Sequence, residues 1–216
     1  MPRPRFARLP AEKRNRILEV AAVEFASQGF AGASLNRIIE RSGISKGAAY
    51  YYFDDKADLF AAVLRHAWTS MRVTTPMAVG ALTRETFWPA LRAGYEALLD
   101  RLRAQPWLVA VGKLVYGPLP TDEVAAVVGE EFDLARRLLG AIVDRGQQVG
   151  AIRRDVPADL LGAMLIGALE AADRWAVDHL DLPADAATSV SGPAVQVFDR
   201  IFDLLRDLAE PPGRAA

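Results

Sequence analysis

The sequence predicts an all-helical protein, on three observations. Apolar residues recur at helical spacing in almost every segment. No stretch alternates polar and apolar residues for long enough to build a sheet. Ser, Thr, Asp, Gly and Pro stand where successive helices would have to start or stop. With 216 residues, 51% hydrophobic and 25% charged, the chain can bury a core and keep a hydrated surface, which excludes disorder and a large barrel enzyme.

From Pro10, the residues Leu18, Ala21, Ala22 and Phe25 share one face of a first helix that Gly29 ends. Ser34 opens a short second helix, Leu35 to Arg41, by accepting a bond from its free amides, and Gly43 makes the tight turn that follows. Ser45 repeats the device for a third helix of about two turns carrying Ala48, Ala49, Tyr50 and Tyr51. Asp54 or Asp55 starts a fourth, with the stripe Leu59, Phe60, Val63, Leu64, Ala67 and Met71. Pro76 and Gly80 bend the chain within Val73 to Leu82, where a second region begins. Phe87, Leu91, Tyr95, Leu98 and Leu102 mark a fifth helix, and Pro106 starts a sixth through Trp107 and Val111. After the break at Gly117-Pro118-Leu119-Pro120, Thr121 opens a seventh helix running to about Gln148. Asp155 or Pro157 starts an eighth through Trp175, and beyond Leu182-Pro183 a ninth covers about Gly192 to Leu208.

Composition removes several function classes. There is no cysteine, hence no disulfide, thiolate metal site or thiol catalysis. Two histidines, His66 and His179, do not make a histidine-rich metal site, and no cofactor is expected. The longest uncharged stretches, Val73 to Thr83 and Ala186 to Phe198, fall short of the roughly 18 apolar residues of a membrane span. The basic start, Met1 to Arg16, leads into no signal-peptide core, so a cytoplasmic protein with no membrane partner is expected. Glu170, Asp173 and His179 show no nucleophile–base spacing, and no phosphate loop is present, so no residue is expected to be catalytic. The net charge is −1, but its distribution is uneven. Residues 1 to 56 hold ten Lys or Arg against six Asp or Glu, while the remaining 160 hold sixteen against twenty-one. A basic first quarter on an acidic remainder suits one polyanion-binding segment joined to a solvated body.

The segment that carries chemistry is Ser34-Leu35-Asn36-Arg37-Ile38-Ile39-Glu40-Arg41-Ser42-Gly43-Ile44-Ser45-Lys46-Gly47-Ala48-Ala49-Tyr50-Tyr51-Tyr52-Phe53. It joins two short helices by a glycine turn, and the second is polar and aromatic on a face that packing would not use. With Ile17, Leu18, Ala21, Ala22, Phe25 and Gly29 upstream and Lys56 and Leu59 downstream, it closely resembles the tetracycline-repressor (TetR) family of helix-turn-helix regulators over roughly residues 10 to 60. The resemblance implies an N-terminal arm and three-helix DNA-binding domain over residues 1–56, with the motif at 34–53. A helical effector-binding and dimerisation domain would fill residues 57–216.

The residues support the same reading, because Ser45, Lys46 and Gly47 sit at a helix start whose unpaired amides suit a phosphate, and Gly47 has no side chain to hold the backbone off. The resemblance puts the third helix in the major groove, with Lys46, Ala48, Tyr50 and Tyr51 facing DNA and the second helix crossing the backbone. Ser34, Arg37, Ser45 and Lys56 are expected at phosphates, Lys46 with Tyr50 or Tyr51 at base edges, and Ala48 near a thymine methyl. Arg3, Arg5 and Arg8 are expected in a mobile arm, either adding DNA contacts or serving as a tail without a role. Two positions depart from the family pattern, which usually has a small residue at Ile39 and a large aliphatic one at Ala49. The motif's geometry brings these positions together, so Ile39 is expected to fill the space that Ala49 leaves.

The resemblance further implies a homodimer whose last two helices form a four-helix bundle across a two-fold axis. Leu161, Leu165, Ala168, Phe198, Ile201, Phe202 and Leu205 are the candidates for that interface. Tyr95, Trp107, Tyr116, Met164 and Trp175 could line a mostly apolar effector cavity or simply form core. The expected protein is therefore a dimeric repressor on a roughly palindromic double-stranded DNA operator, released by a small-molecule effector. An enzyme, a helical hydrolase using Asp173, Glu170 or His179, is the competing class, a helix-turn-helix protein that engages only other proteins is a third option, and a steep inverse salt dependence of DNA binding separates these.

Overall fold

Four polar residues start helices as their positions predict. The Ser34 hydroxyl accepts the Arg37 amide at 3.3 Å, Ser45 accepts Ala48 at 3.2 Å, Asp55 accepts Asp58 at 2.8 Å and Thr121 accepts Val124 at 3.3 Å. The computed structural model describes residues 4–72, 78–117, 119–179 and 193–212, and of residues 50, 72, 123, 176–179, 193–196 and 198 it describes the backbone only. Arg3, most of the expected bend at Val73 to Leu82 and the Leu182-Pro183 break lie outside the described residues.

Among the described residues there are ten α-helices and no strand. They are α1 (Pro4–Ala7), α2 (Ala11–Gly32), α3 (Leu35–Ser42), α4 (Lys46–Tyr52), α5 (Lys56–Arg72), α6 (Phe87–Ala104), α7 (Pro106–Val115), α8 (Asp122–Val149), α9 (Ala158–His179) and α10 (Pro193–Ala209), with a 3-10 turn at Val79–Ala81. The nine expected helices are α2 to α10. The additional one is α1, inside the leader that was expected to be a mobile arm. Gly29 interrupts α2 with φ 66° and ψ 171°, a conformation open to glycine alone, and the chain turns there before Phe30. Gly43 ends α3 in the left-handed region at φ 68°, ψ 31°, its amide donating to Glu40 and the Ile44 amide to Ile39.

The helices divide into two compact units. The first is built on α1–α5, α7 and the opening of α8. In it α7 packs on α2, and the apolar faces of α2, α5 and α7 meet: Ile17, Leu18, Phe25, Leu59, Phe60, Leu64, Trp107, Leu108, Val111 and Leu114 are all buried. Phe25, Phe30 and Phe60 form an aromatic cluster with centroids 4.9 to 6.0 Å apart. α5, the expected start of the second domain, therefore groups with the helix-turn-helix, and α7 joins them from the middle of the chain.

The second unit is built on α6, the rest of α8, α9 and α10. Its core gathers Leu82, Phe87, Ile142, Val143, Ile152, Leu161 and Leu165. Polar side chains tie its loops, as Arg145 donates to the Leu82 carbonyl at 2.8 Å and Gln147 to those of Arg153 and Val156 at 2.9 and 3.0 Å. Among the described residues no helix is long and apolar enough to cross a membrane.

Candidate nucleic-acid interface

α4 is fixed from behind and open in front. Ala49 and Phe53 are buried, as are Ile38, Ile39 and Ile44 on the α3 side, so the motif's inner surface is sealed by aliphatic and aromatic packing. Ser45, Lys46 and Gly47 are exposed, Ala48 is half-buried, and the Tyr51 side chain is 44% exposed. A methyl group added at Gly47 would meet no atom within 4 Å. Tyr50 lies in α4, but its side chain is outside the described residues. The exposed flank of a short, rigidly backed helix thus carries a cation, a phenol and a stretch of accessible backbone, the set that reads or grips duplex DNA.

The other four positions expected at phosphates have tasks within the fold. Ser34 and Ser45 use their hydroxyls as helix caps. The Arg37 guanidinium donates to Glu24 at 2.8 Å and to the Gly32 carbonyl at 3.3 Å, with half of its side chain still exposed. The Lys56 ammonium donates to the carbonyls of Ala31 and Ala33 at 3.1 and 3.3 Å and lies over the Phe30 ring, satisfying carbonyls left open where α2 ends. Ile39 and Ala49, the departures in size, are both buried.

Glu24 and Phe6, which sequence reasoning left without a role, and Arg5, expected in a mobile arm, complete the site. Glu24 is only 2% exposed and accepts the Ser34 amide at 2.9 Å as well as Arg37. Burial alone would raise its carboxyl, but these two bonds and the charges of Arg37 and Arg41 outweigh it and hold the group below the ordinary carboxylate range. A carboxylate one residue from Phe25, on the face that Ala21 and Phe25 define, was the available signal. Phe6 is buried against Phe53 and Tyr52, with ring centroids at 4.7 and 5.8 Å, and Arg5 lies 4.3 Å from the Tyr51 ring. The signal there was one phenylalanine in an otherwise basic leader.

The chain can be compared with known proteins on this geometry. Residues 17–63 match the family described as bacterial regulatory proteins, tetR family, a segment that contains α3 and α4 whole. The HTH-type transcriptional repressor SCO4008 of Streptomyces coelicolor is 30% identical over 174 residues, covering 79% of this chain and 81% of that protein. The chain belongs to the tetR family. As a tetR-family protein it is a DNA-binding transcriptional regulator and not an enzyme. Among solved structures, the fatty acid degradation regulator FadR from Bacillus halodurans matches with a TM-score of 0.67 at 18% identity, covering 92% of this chain and 97% of that one. FadR from Bacillus subtilis in complex with stearoyl-CoA matches with a TM-score of 0.63 at 18% identity, covering 88% and 96%. At these identities the likeness is one of fold.

Trp107 is buried in the first unit, stacked face to face on His66 with centroids 5.0 Å apart, and half-buried Tyr116 closes α7. Tyr95, Met164 and Trp175 belong to the second unit, so the five effector candidates are divided between the two. Tyr95 packs on Phe202 at 5.2 Å, and burial together with the Asp199 carboxylate pushes its phenol far above its ordinary value, keeping it a neutral donor. Met164 and Trp175 are 45% and 42% exposed. Of the expected dimer residues, Leu161 and Leu165 are buried in the protomer's own core, so their side chains are not at a free surface, and half-buried Leu205 packs against that core. Ile201 and Phe202 are half-buried and Ala168 is exposed, while the Phe198 side chain lies outside the described residues.

Proposed function

We propose that the protein is a homodimeric repressor that binds a roughly palindromic operator and leaves it when a small, mostly apolar effector binds. The observation that carries the reading is the open flank of α4, with Lys46 and Tyr51 exposed on a helix whose other face is sealed into the first unit. Lys46 and Tyr51 meet base edges or their rim, and Gly47 lets the backbone approach a phosphate. Arg37, half-exposed and already held by Glu24, can still offer a donor to a phosphate. A single copy reaches one major groove, and two copies related by a two-fold axis reach successive grooves about 34 Å apart.

The surface best suited to that pairing is the outer face of α9. Leu160, Met164, Ala168 and Trp175 are exposed on it, and Ala163, Gly167 and Ala171 between them are exposed and small enough for a second helix to approach closely. Repression is supported by those curated relatives that are named repressors, SCO4008 among them. An apolar effector is supported by the stearoyl-CoA complex of a protein with this fold. Effector would bind better to a state whose two recognition helices are wrongly spaced for the operator, with a coupling of about 1–3 kcal/mol.

The test is selection of bound fragments from the source genome, with and without candidate ligands. Enrichment of a palindromic site that a ligand abolishes is the expected result. Absence of any enriched sequence, or binding that ignores salt, would remove the reading.

A further inference from the structure

The leader in front of the helix-turn-helix is fastened to the recognition helix. Phe6 is buried between Tyr52 and Phe53, the Ala7 carbonyl accepts a guanidinium bond from Arg14 at 3.2 Å, and the Arg8 and Leu9 amides donate back to Arg5 and Phe6. These contacts fix the Arg5 backbone. Its guanidinium then lies 4.3 Å from the centroid of Tyr51, whose ring leans edge-on against Tyr52 at 5.7 Å. Both Arg5 and Tyr51 are exposed, and among the described residues no carboxylate pairs with Arg5.

A guanidinium stacked on a ring has one face covered while its five N–H donors point outward in its own plane. Stacking therefore orients the group without using up its hydrogen bonds or its charge. We propose that Arg5, aimed by Tyr51 and anchored through Phe6, is a phosphate-contacting residue that works as one unit with the exposed flank of α4. The inference rests on α4 being the helix that meets DNA. A charge fixed in register loses less freedom on binding than one on a free tail, so the contribution of Arg5 depends on the ring beneath it.

The experiment measures binding of the full-length chain to a mixed-sequence duplex of about 30 base pairs by fluorescence anisotropy across a series of KCl concentrations. Removing one phosphate contact by Arg5→Ala lowers the slope of log affinity against log salt by about 0.9 and weakens binding about eightfold at about 0.1 M salt. Tyr51→Phe keeps the ring and leaves the effect of Arg5→Ala intact, whereas in a Tyr51→Ala background the same substitution has a much smaller effect. Equal effects of Arg5→Ala in both backgrounds would make Arg5 an untethered charge and overturn the proposal. So would Arg5→Ala with slope and affinity unchanged while Lys46→Ala weakens binding, and that pattern would leave the role of α4 standing. A wild-type chain with no salt-dependent affinity would remove both.

Discussion

Glu24 stands among the buried apolar residues of α2, where an unpaired charge would be driven toward water. It stays because Arg37 and the Ser34 amide both donate to its Oε1, so this carboxylate ties the start of α3 to α2. Its carboxyl titrates below the ordinary value of 4.5, so its stabilising contribution is complete above about pH 5 and is lost as pH falls through the depressed value. Glu24→Gln should cost about 1–3 kcal/mol at neutral pH, in a denaturant melt of the full chain, and the deficit should shrink below about pH 4.5 as the wild-type carboxyl protonates. His66 behaves in the same sense for a different reason. Burial and the Arg14 charge push its imidazole below its ordinary value of 6.5, so protonation favours the unfolded chain as pH falls below that value. His66→Phe, which can keep the stack on Trp107, should flatten thermal stability against pH as pH falls below about 6.5. A profile as steep as the wild type's would show that other groups set it. At this scale the sequence was legible for exposed residues and silent on the partners of long cations. Lys46 and Tyr51 are open as expected, but Lys56 finds carbonyls 25 and 23 residues away and Arg37 a carboxylate 13 away, partners that only the folded approach of α2 supplies.

Element boundaries were legible because each is set by chemistry within a few residues: Ser34 and Ser45 as caps, Gly43 as a left-handed stop, Pro106 at the first turn of α7. α1 was not, because four residues carry no periodicity and its order comes from Phe6 reaching Tyr52 and Phe53, more than forty residues on. The size exchange between α3 and α4 makes a prediction at this level. Ile39→Ala should destabilise the chain by about 2–5 kcal/mol in a full-length melt, and a loss well under that would refute the compensation for Ala49. Helix α8 offers another. A Cβ on Gly146 would stand 2.6 Å from Ile152 and 2.7 Å from Phe87, both buried, so either must shift against packed neighbours. Gly146→Ala should therefore lower stability by about 1–3 kcal/mol in spite of alanine's better helix propensity, and Ile152→Val should restore part of it. A neutral or stabilising Gly146→Ala would mean that the core yields.

For the whole molecule, membership of a helical regulator family was legible from twenty residues of motif, whereas the surfaces proposed for pairing two copies and for an effector were not. Periodicity marks an apolar face without saying what covers it: Leu161 and Leu165 lie inside the protomer, while Met164 and Trp175, expected around an effector, stand on the outer face of α9. If that face joins two copies, Met164→Glu should yield monomers by light scattering and weaken operator binding, leaving the secondary structure intact. Dimers at unchanged mass would move the interface elsewhere. The position of α7 has an evolutionary corollary. Trp107, Leu108, Val111 and Leu114 are buried in the unit that carries the helix-turn-helix, so the reading head is completed by residues encoded far downstream of it. Grafting only the first seventy residues onto another sensor would transplant an open core. A successful chimera has to bring a matching α7, so the helix-turn-helix unit is inherited together with a helix from the middle of the chain.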